Sequence, residues 1–116
     1  MDAIGIDPGS YHTVLACVKQ KGIEIVLSET SERVTPSLVA YTAQERLIGA
    51  SANNQFKKNF KNTMQFFMRF MGLNQDCVEQ LREEKKFITY KVVNLDNKKI
   101  GFELTMRGQK QIMTPE

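Results

Sequence analysis

Two short β-prone runs, Ala3–Ile6 and Thr13–Val18, stand on either side of Asp7-Pro8-Gly9-Ser10. Asp, Pro, Gly and Ser in that order are strong turn chemistry, so the second run doubles back along the first. Lys21-Gly22 makes a second tight turn, and Ile23–Leu27 begins with apolar and polar residues in alternation. With connections this short, the three runs form an antiparallel meander.

The rest of the chain reads in segments. Residues 28–36 are polar and end in Thr35-Pro36, which fits a loop, and Leu38–Tyr41 and Leu47-Ile48 are short strands around another turn. Ala50–Phe60 is mostly polar, with few strand formers, and starts a helical stretch. Asn62-Thr63 offers a helix cap ahead of Met64–Met71, where only Gln65 and Arg69 are strongly polar. That composition predicts a helix buried on most sides and ended by Gly72. A further helix is expected over Gln75–Lys86, then strands over Phe87–Leu95 and Ile100–Met106 around an Asp96-Asn97 turn. Arg107-Gly108 turns the chain toward Gln111-Ile112-Met113. Thr114-Pro115-Glu116 has the cap, first-turn proline and first-turn acid of a new helix, so a chain cut within a larger domain is expected.

Composition removes several function classes. A chain of 116 residues makes one small domain or part of a larger one. The net charge of +3 is mild. The lysines at 57, 58 and 61, at 85 and 86, and at 98 and 99 lie among Asn, Gln and Glu, which reads as solvated surface rather than a nucleic-acid footprint. Cys17 and Cys77 are far apart and His12 is the single histidine, so a zinc site is not expected. Cys17 reads as a small core residue. Met1-Asp2-Ala3 opens no signal peptide, and no run approaches the roughly 18 apolar residues of a membrane span. A reducing, cytoplasmic setting is the expectation.

The chemistry-bearing segment is Gly5-Ile6-Asp7-Pro8-Gly9-Ser10-Tyr11. A phosphate needs backbone N–H donors aimed at it and no Cβ in the way, which Gly9 followed by the amides of Ser10 and Tyr11 can supply, together with the Ser10 hydroxyl. Asp7 at the end of a strand can hold Mg²⁺ directly or through its water shell. On the heptapeptide alone, a plain hairpin turn is the favoured reading of these residues. No GxxxxGK[ST], GxGxxG or GxSxG pattern is present, and His12 reads as a half-exposed strand residue.

Further stretches extend the pattern. Gly22–Val26, Arg33–Tyr41, Glu45–Gly49 with Ala52 and Asn54-Gln55, and Asn62-Thr63 with Arg69 and Gly72 follow the turn in order. Together with Gly5-Ile6-Asp7 and Gly9-Ser10, they resemble the opening of the ATP-binding domain of the seventy-kilodalton heat-shock chaperones over residues 3–72. Actin-like sugar kinases carry a related turn but lack the later stretches. Met71-Gly72-Leu73, Lys86-Phe87 and Asn94–Gly101 look like the large, hundred-and-ten-kilodalton branch, whose members act mainly as nucleotide-exchange partners of the smaller chaperones and as holdases.

The resemblance implies an α/β, actin-like ATPase fold. Residues 1–116 would form part of its first lobe, the N-terminal part of a nucleotide-binding domain. It implies ATP or ADP with Mg, with Asp7 serving the metal and Gly9, Ser10 and Tyr11 the phosphates. It also implies a smaller heat-shock chaperone as exchange partner and unfolded proteins as clients. This sequence departs from the family's Asp-Leu-Gly-Thr-Thr turn at Pro8, Ser10 and Tyr11, and Pro8 removes one N–H. Met68 stands where the family has a lysine that reaches the phosphates, and a thioether carries no charge to a phosphoryl group. Binding with impaired hydrolysis is therefore expected. An active ATPase chaperone and a free-standing interaction domain without nucleotide are the alternatives. The fragment alone is expected to bind ATP weakly or not at all, and to self-associate through apolar surface on the 64–71 helix and where a partner lobe is missing.

Overall fold

The computed structural model describes residues 3–116. Its strands form three small antiparallel sheets. In the first, β1 (Ile4–Pro8) pairs with β2 (His12–Lys19), Ile4 opposite Cys17 and Pro8 opposite Thr13. The other edge of β2 is shared by β3 (Gly22–Ile25) and the two-residue β4 (Thr35–Pro36). The expected meander is present. However, Asp7 and Pro8 belong to the ladder, opposite Val14 and Thr13, and the reversal itself is confined to Gly9–Tyr11.

The second sheet has β5 (Leu38–Tyr41) at its centre, between β6 (Arg46–Ile48) and β7 (Thr63–Gln65). Successive strand side chains point to opposite faces, and β5 buries both. Leu38 and Ala40 pack on Ala52 of α1 (Ala50–Asn59), while Val39 and Tyr41 face the main core. Ala52 is fully buried, and with no side chain beyond Cβ it lets the otherwise polar helix approach the sheet closely. Lys57 and Lys58 in the last turn complement the helix dipole. Asn59 ends the helix and donates through Nδ2 to the Tyr41 carbonyl at 2.8 Å.

The third sheet has β9 (Ile100–Met106) between β8 (Lys91–Asn94) and β10 (Gln109–Met113). Its inner face supplies Ile100, Phe102 and Leu104 to the main core, which also takes Leu81 from α2 (Val78–Glu84). Phe102 meets Tyr90 and Phe70 edge-on, with ring centroids at 4.9 and 5.5 Å. Burying a side chain such as Phe70 or Phe102 is worth about 1.5–3 kcal/mol. Gly101 is required by close approach, since a Cβ there would lie 2.7 Å from Ile112 Cγ2.

Three expectations are corrected. Met64–Met71 is not a helix: Met64 pairs with Val39 in β7, Phe66 adopts a left-handed conformation (φ 58°), and Phe67–Phe70 forms one 3-10 turn. The run is buried in part, with Met64 and Phe70 inside and Arg69 and Met71 exposed. Thr63 is not a helix cap; its buried hydroxyl donates to the Asn59 carbonyl at 2.7 Å and closes the end of the preceding helix. The second helix is shorter than Gln75–Lys86 because Gln75 buttresses the β8–β9 turn, donating through Nε2 to the carbonyls of Leu95 at 2.7 Å and Lys99 at 2.8 Å. Residues 114–116 follow β10 without regular structure, and Pro115 is buried.

The architecture is a mixed α/β arrangement of antiparallel sheets with few helices. The radius of gyration is 16.2 Å, against about 13 Å for a compact chain of this length. Exposed apolar side chains concentrate on the first sheet, at Ile4, Ile6, Val18, Ile23 and Ile25.

Candidate functional site

The β1–β2 reversal is a tightly bonded tip. The Gly9 amide donates to the carbonyls of His12 at 3.0 Å and Asp7 at 3.2 Å. A Cβ on Gly9 would stand 2.4 Å from the His12 carbonyl oxygen, so the turn itself demands glycine. The Gly9 carbonyl accepts from the Ser37 hydroxyl at 2.7 Å, and the Tyr11 carbonyl accepts from the Ser37 amide at 2.9 Å. Four carbonyls around the tip are thus spent on protein donors. The Ser10 and Tyr11 amides donate to no acceptor among the described residues. Backbone amides left free in this way, with the neighbouring carbonyls turned aside, suit an anion. The donor set fits a phosphate group, although the Gly9 amide, engaged with His12, is not among the free donors.

Asp7 and Pro8 are consecutive strand residues and project to opposite faces. Pro8, but not Asp7, lines an apolar cleft of about 360 Å³ with Leu15, Leu38, Val39, Phe67 and Met68. Met68 is therefore brought to the neighbourhood of the turn, on the face away from Asp7. The surroundings that a lysine at position 68 would meet on this side are nearly all apolar.

Asp7 is exposed, and no cluster of three or more potential metal ligands occurs among the described residues. One carboxylate with phosphate oxygens and water is a normal Mg²⁺ set, whereas a dedicated protein cage is not present here. His12 opens β2, a strand residue as read from the sequence, and is exposed rather than half-exposed. The Tyr11 ring stacks toward Phe66, with centroids 6.2 Å and planes 24° apart, and stands edge-on to His12 at 4.5 Å. Sequence reasoning does not identify Ser37 and Phe66 as partners of the turn. A hydroxyl residue opening the otherwise apolar Ser37–Tyr41 run is the available signal for Ser37.

The segment carrying Met68 is anchored from behind. Arg69 donates through Nε and Nη2 to the two carboxylate oxygens of Glu84 at 2.5 and 2.8 Å, and these hydrogen bonds and the charge of Glu84 hold the guanidinium proton more tightly than usual. Tyr90 donates its hydroxyl to the Gln65 carbonyl at 2.7 Å. Burial, reinforced by the charge of Glu84, pushes the Tyr90 phenol far above its ordinary range.

Comparison with known proteins identifies the family. The family model described as Hsp70 protein matches residues 3–116. A heat shock protein homolog of Candida glabrata is 39% identical over 105 residues, 90% of this chain and 15% of that protein. A heat shock protein homolog of Saccharomyces cerevisiae is 36% identical over 110 residues, 95% of this chain and 16% of that protein. The 97 kDa heat shock protein of Strongylocentrotus purpuratus is 31% identical over 116 residues, all of this chain and 13% of that protein. The chain spans only 13–16% of the length of these curated relatives. With a family match that begins at Ala3 and takes in the turn, the cleft and all three sheets, the chain belongs to the Hsp70 protein family, on its large hundred-and-ten-kilodalton branch.

Proposed function

We propose that these residues are the N-terminal part of the nucleotide-binding domain of a heat-shock chaperone with an actin-like ATPase fold. In this reading the whole protein binds ATP or ADP with Mg, hydrolyses ATP weakly, and acts in the cytoplasm as a nucleotide-exchange partner of a smaller chaperone and as a holdase for unfolded chains. The observation that carries the reading is the Gly9–Tyr11 tip, with two unspent amides and its carbonyls tied back. Ser10 and Tyr11 would donate to phosphate oxygens, Gly9 would give the close backbone, and Asp7 would hold the metal or its water shell. Bound Mg·ATP supplies the phosphoryl group; this chain's residues bind and orient it.

Met68 supports the weak-hydrolysis half of the proposal. Its side chain lines an apolar cleft with Pro8 and Phe67 and brings no positive charge toward the turn. Absence of one such electrostatic contact typically costs on the order of 10²–10³ in rate. Equilibrium binding of ATP and ADP to the full-length protein, with and without Mg²⁺, tests the first half. Steady-state phosphate release tests the second. Failure to bind either nucleotide at millimolar concentration overturns the reading, and turnover equal to that of an active chaperone overturns the role given to Met68.

A further inference from the structure

We infer that Ser37 is a positioning residue that holds the Gly9–Tyr11 tip in its phosphate-accepting form; this rests on the nucleotide reading proposed above. Ser37 lies at the junction of β4 and β5 and is 7% exposed, so its polar groups must find partners within the protein. It meets the tip at two places. Its hydroxyl donates to the Gly9 carbonyl at 2.7 Å and its amide to the Tyr11 carbonyl at 2.9 Å. A serine hydroxyl has one proton, and here it goes to Gly9. The contact of 2.9 Å between the hydroxyls of Thr13 and Ser37 therefore has Thr13 as donor. The chain of donation runs from Thr13 to Ser37 to Gly9, and its direction is fixed by proton count.

The consequence concerns which backbone groups the tip presents. A carbonyl oxygen facing a phosphate would repel it. Ser37 engages the carbonyls of Gly9 and Tyr11, on either side of Ser10, while the Ser10 and Tyr11 amides stay free. The tip is thus prepared for an anion before any arrives, and ligand binding need not spend energy turning the peptide groups. Ser37 acts through the turn and is not placed in contact with the nucleotide.

The test uses the full-length protein with Ser37→Ala and Ser37→Thr. Two readouts are taken: Mg·ATP affinity, and hydrogen exchange by mass spectrometry of the peptide spanning the turn. Ser37→Ala should lose affinity on the order of tenfold, as expected from one lost hydrogen bond of about 1–1.5 kcal/mol. Exchange should quicken in the turn peptide, where the Gly9 amide is now protected, while peptides of β9 keep their protection. Ser37→Thr retains the hydroxyl and should restore both. Thr13→Val, which removes only the donor to Ser37, should shift both readouts in the same direction by less.

Unchanged affinity and unchanged turn exchange in Ser37→Ala overturn the inference. So does loss of protection spread equally over β9, which would mark Ser37 as a general stabiliser. A wild-type protein that binds no nucleotide removes the reading beneath the inference. The turn exchange of Ser37→Ala then decides by itself whether Ser37 holds the tip.

Discussion

Pro8 and Met68, far apart in the chain, line one apolar cleft beside the β1–β2 turn. Both stand where the family pattern has a different residue, leucine and lysine. Their meeting makes the two departures a single physical change. A lysine at position 68 would extend its ammonium from a cleft whose walls include Pro8, Leu15, Leu38 and Phe67. Desolvation opposes that charge unless the side chain reaches the phosphates. Met68→Lys is therefore expected to lower stability by about 1–3 kcal/mol and to raise phosphate release by less than the roughly 10²–10³ that such a contact can give. Pro8→Leu combined with Met68→Lys should differ from the sum of the single changes by about 0.5 kcal/mol or more. Phosphate release and denaturation of the four proteins measure this. No gain in turnover in either lysine variant would remove the account of Met68.

Tyr90 predicts an alkaline limit to the fold. Its phenol is raised by burial and then by Glu84, so the folded state holds the proton more tightly than the unfolded chain does. Stability from this group is complete below the ordinary tyrosine value of about 10. It declines as pH rises above that value, because the unfolded state then releases its proton first. Denaturation midpoints measured across the alkaline range should fall in the wild type and fall less in Tyr90→Phe. The variant should also lose about 0.5–1.5 kcal/mol at neutral pH, from the hydrogen bond to the Gln65 carbonyl. Parallel alkaline profiles would contradict the burial of the phenol.

Phe70 and Met71 are neighbours with opposite environments. Phe70 is fully buried against Phe102 and Tyr90, and Met71 is 50% exposed. Phe70→Ala should cost about 3–5 kcal/mol, whereas Met71→Ala should stay within about 0.5 kcal/mol. Equilibrium denaturation of the two variants separates them. Similar losses would mean that the 67–70 turn does not face the core as described.

Self-association of residues 1–116 should run through the first sheet. Ile23 is 77% exposed and Ile4 is 70% exposed, on its two outer strands. Ile4 lies on one face of the sheet, in register with Cys17, and Ile23 on the other, in register with Val18. Each face thus carries exposed apolar side chains that favour association, and outer strands offer unpaired backbone groups. Light scattering should report oligomers for the unmodified chain and a shift toward monomer for Ile4→Lys with Ile23→Lys. A strictly monomeric wild-type chain at high concentration would contradict this.

Legibility from sequence follows the reach of the interactions. Leu38–Tyr41 and Ile100–Met106 are readable to their ends because apolar and β-prone composition between turn residues suffices locally. Met64–Met71 misleads because an apolar run of that length has no periodicity to tell strand from helix. The deciding partner, Val39, lies far away in the chain. At the site, Gly9 and its neighbours are legible because a tight reversal needs particular residues. Pro8 and Met68 are each legible as departures, but their common cleft is not. Ser37 is legible as part of the family pattern, but its bonds to Gly9 and Tyr11 are not, since they depend on how β4 lies against β2. The apolar exposure expected on the 64–71 segment is found more on Ile4, Ile6, Ile23 and Ile25, because the segment packs half-inside while the outer strands of the first sheet are exposed.

The double burial of β5 sets where this chain can change length. Leu38 and Ala40 serve one layer and Val39 and Tyr41 the other, so a slip of one position would exchange the two sets. It would also pull Ser37 off the turn that it holds. Insertions and deletions among homologues should therefore be absent between Ser37 and Tyr41 and gather in the loop of residues 26–34 and at Arg107-Gly108. Over Ser37–Tyr41 the spacing is dictated as strictly as the side chains.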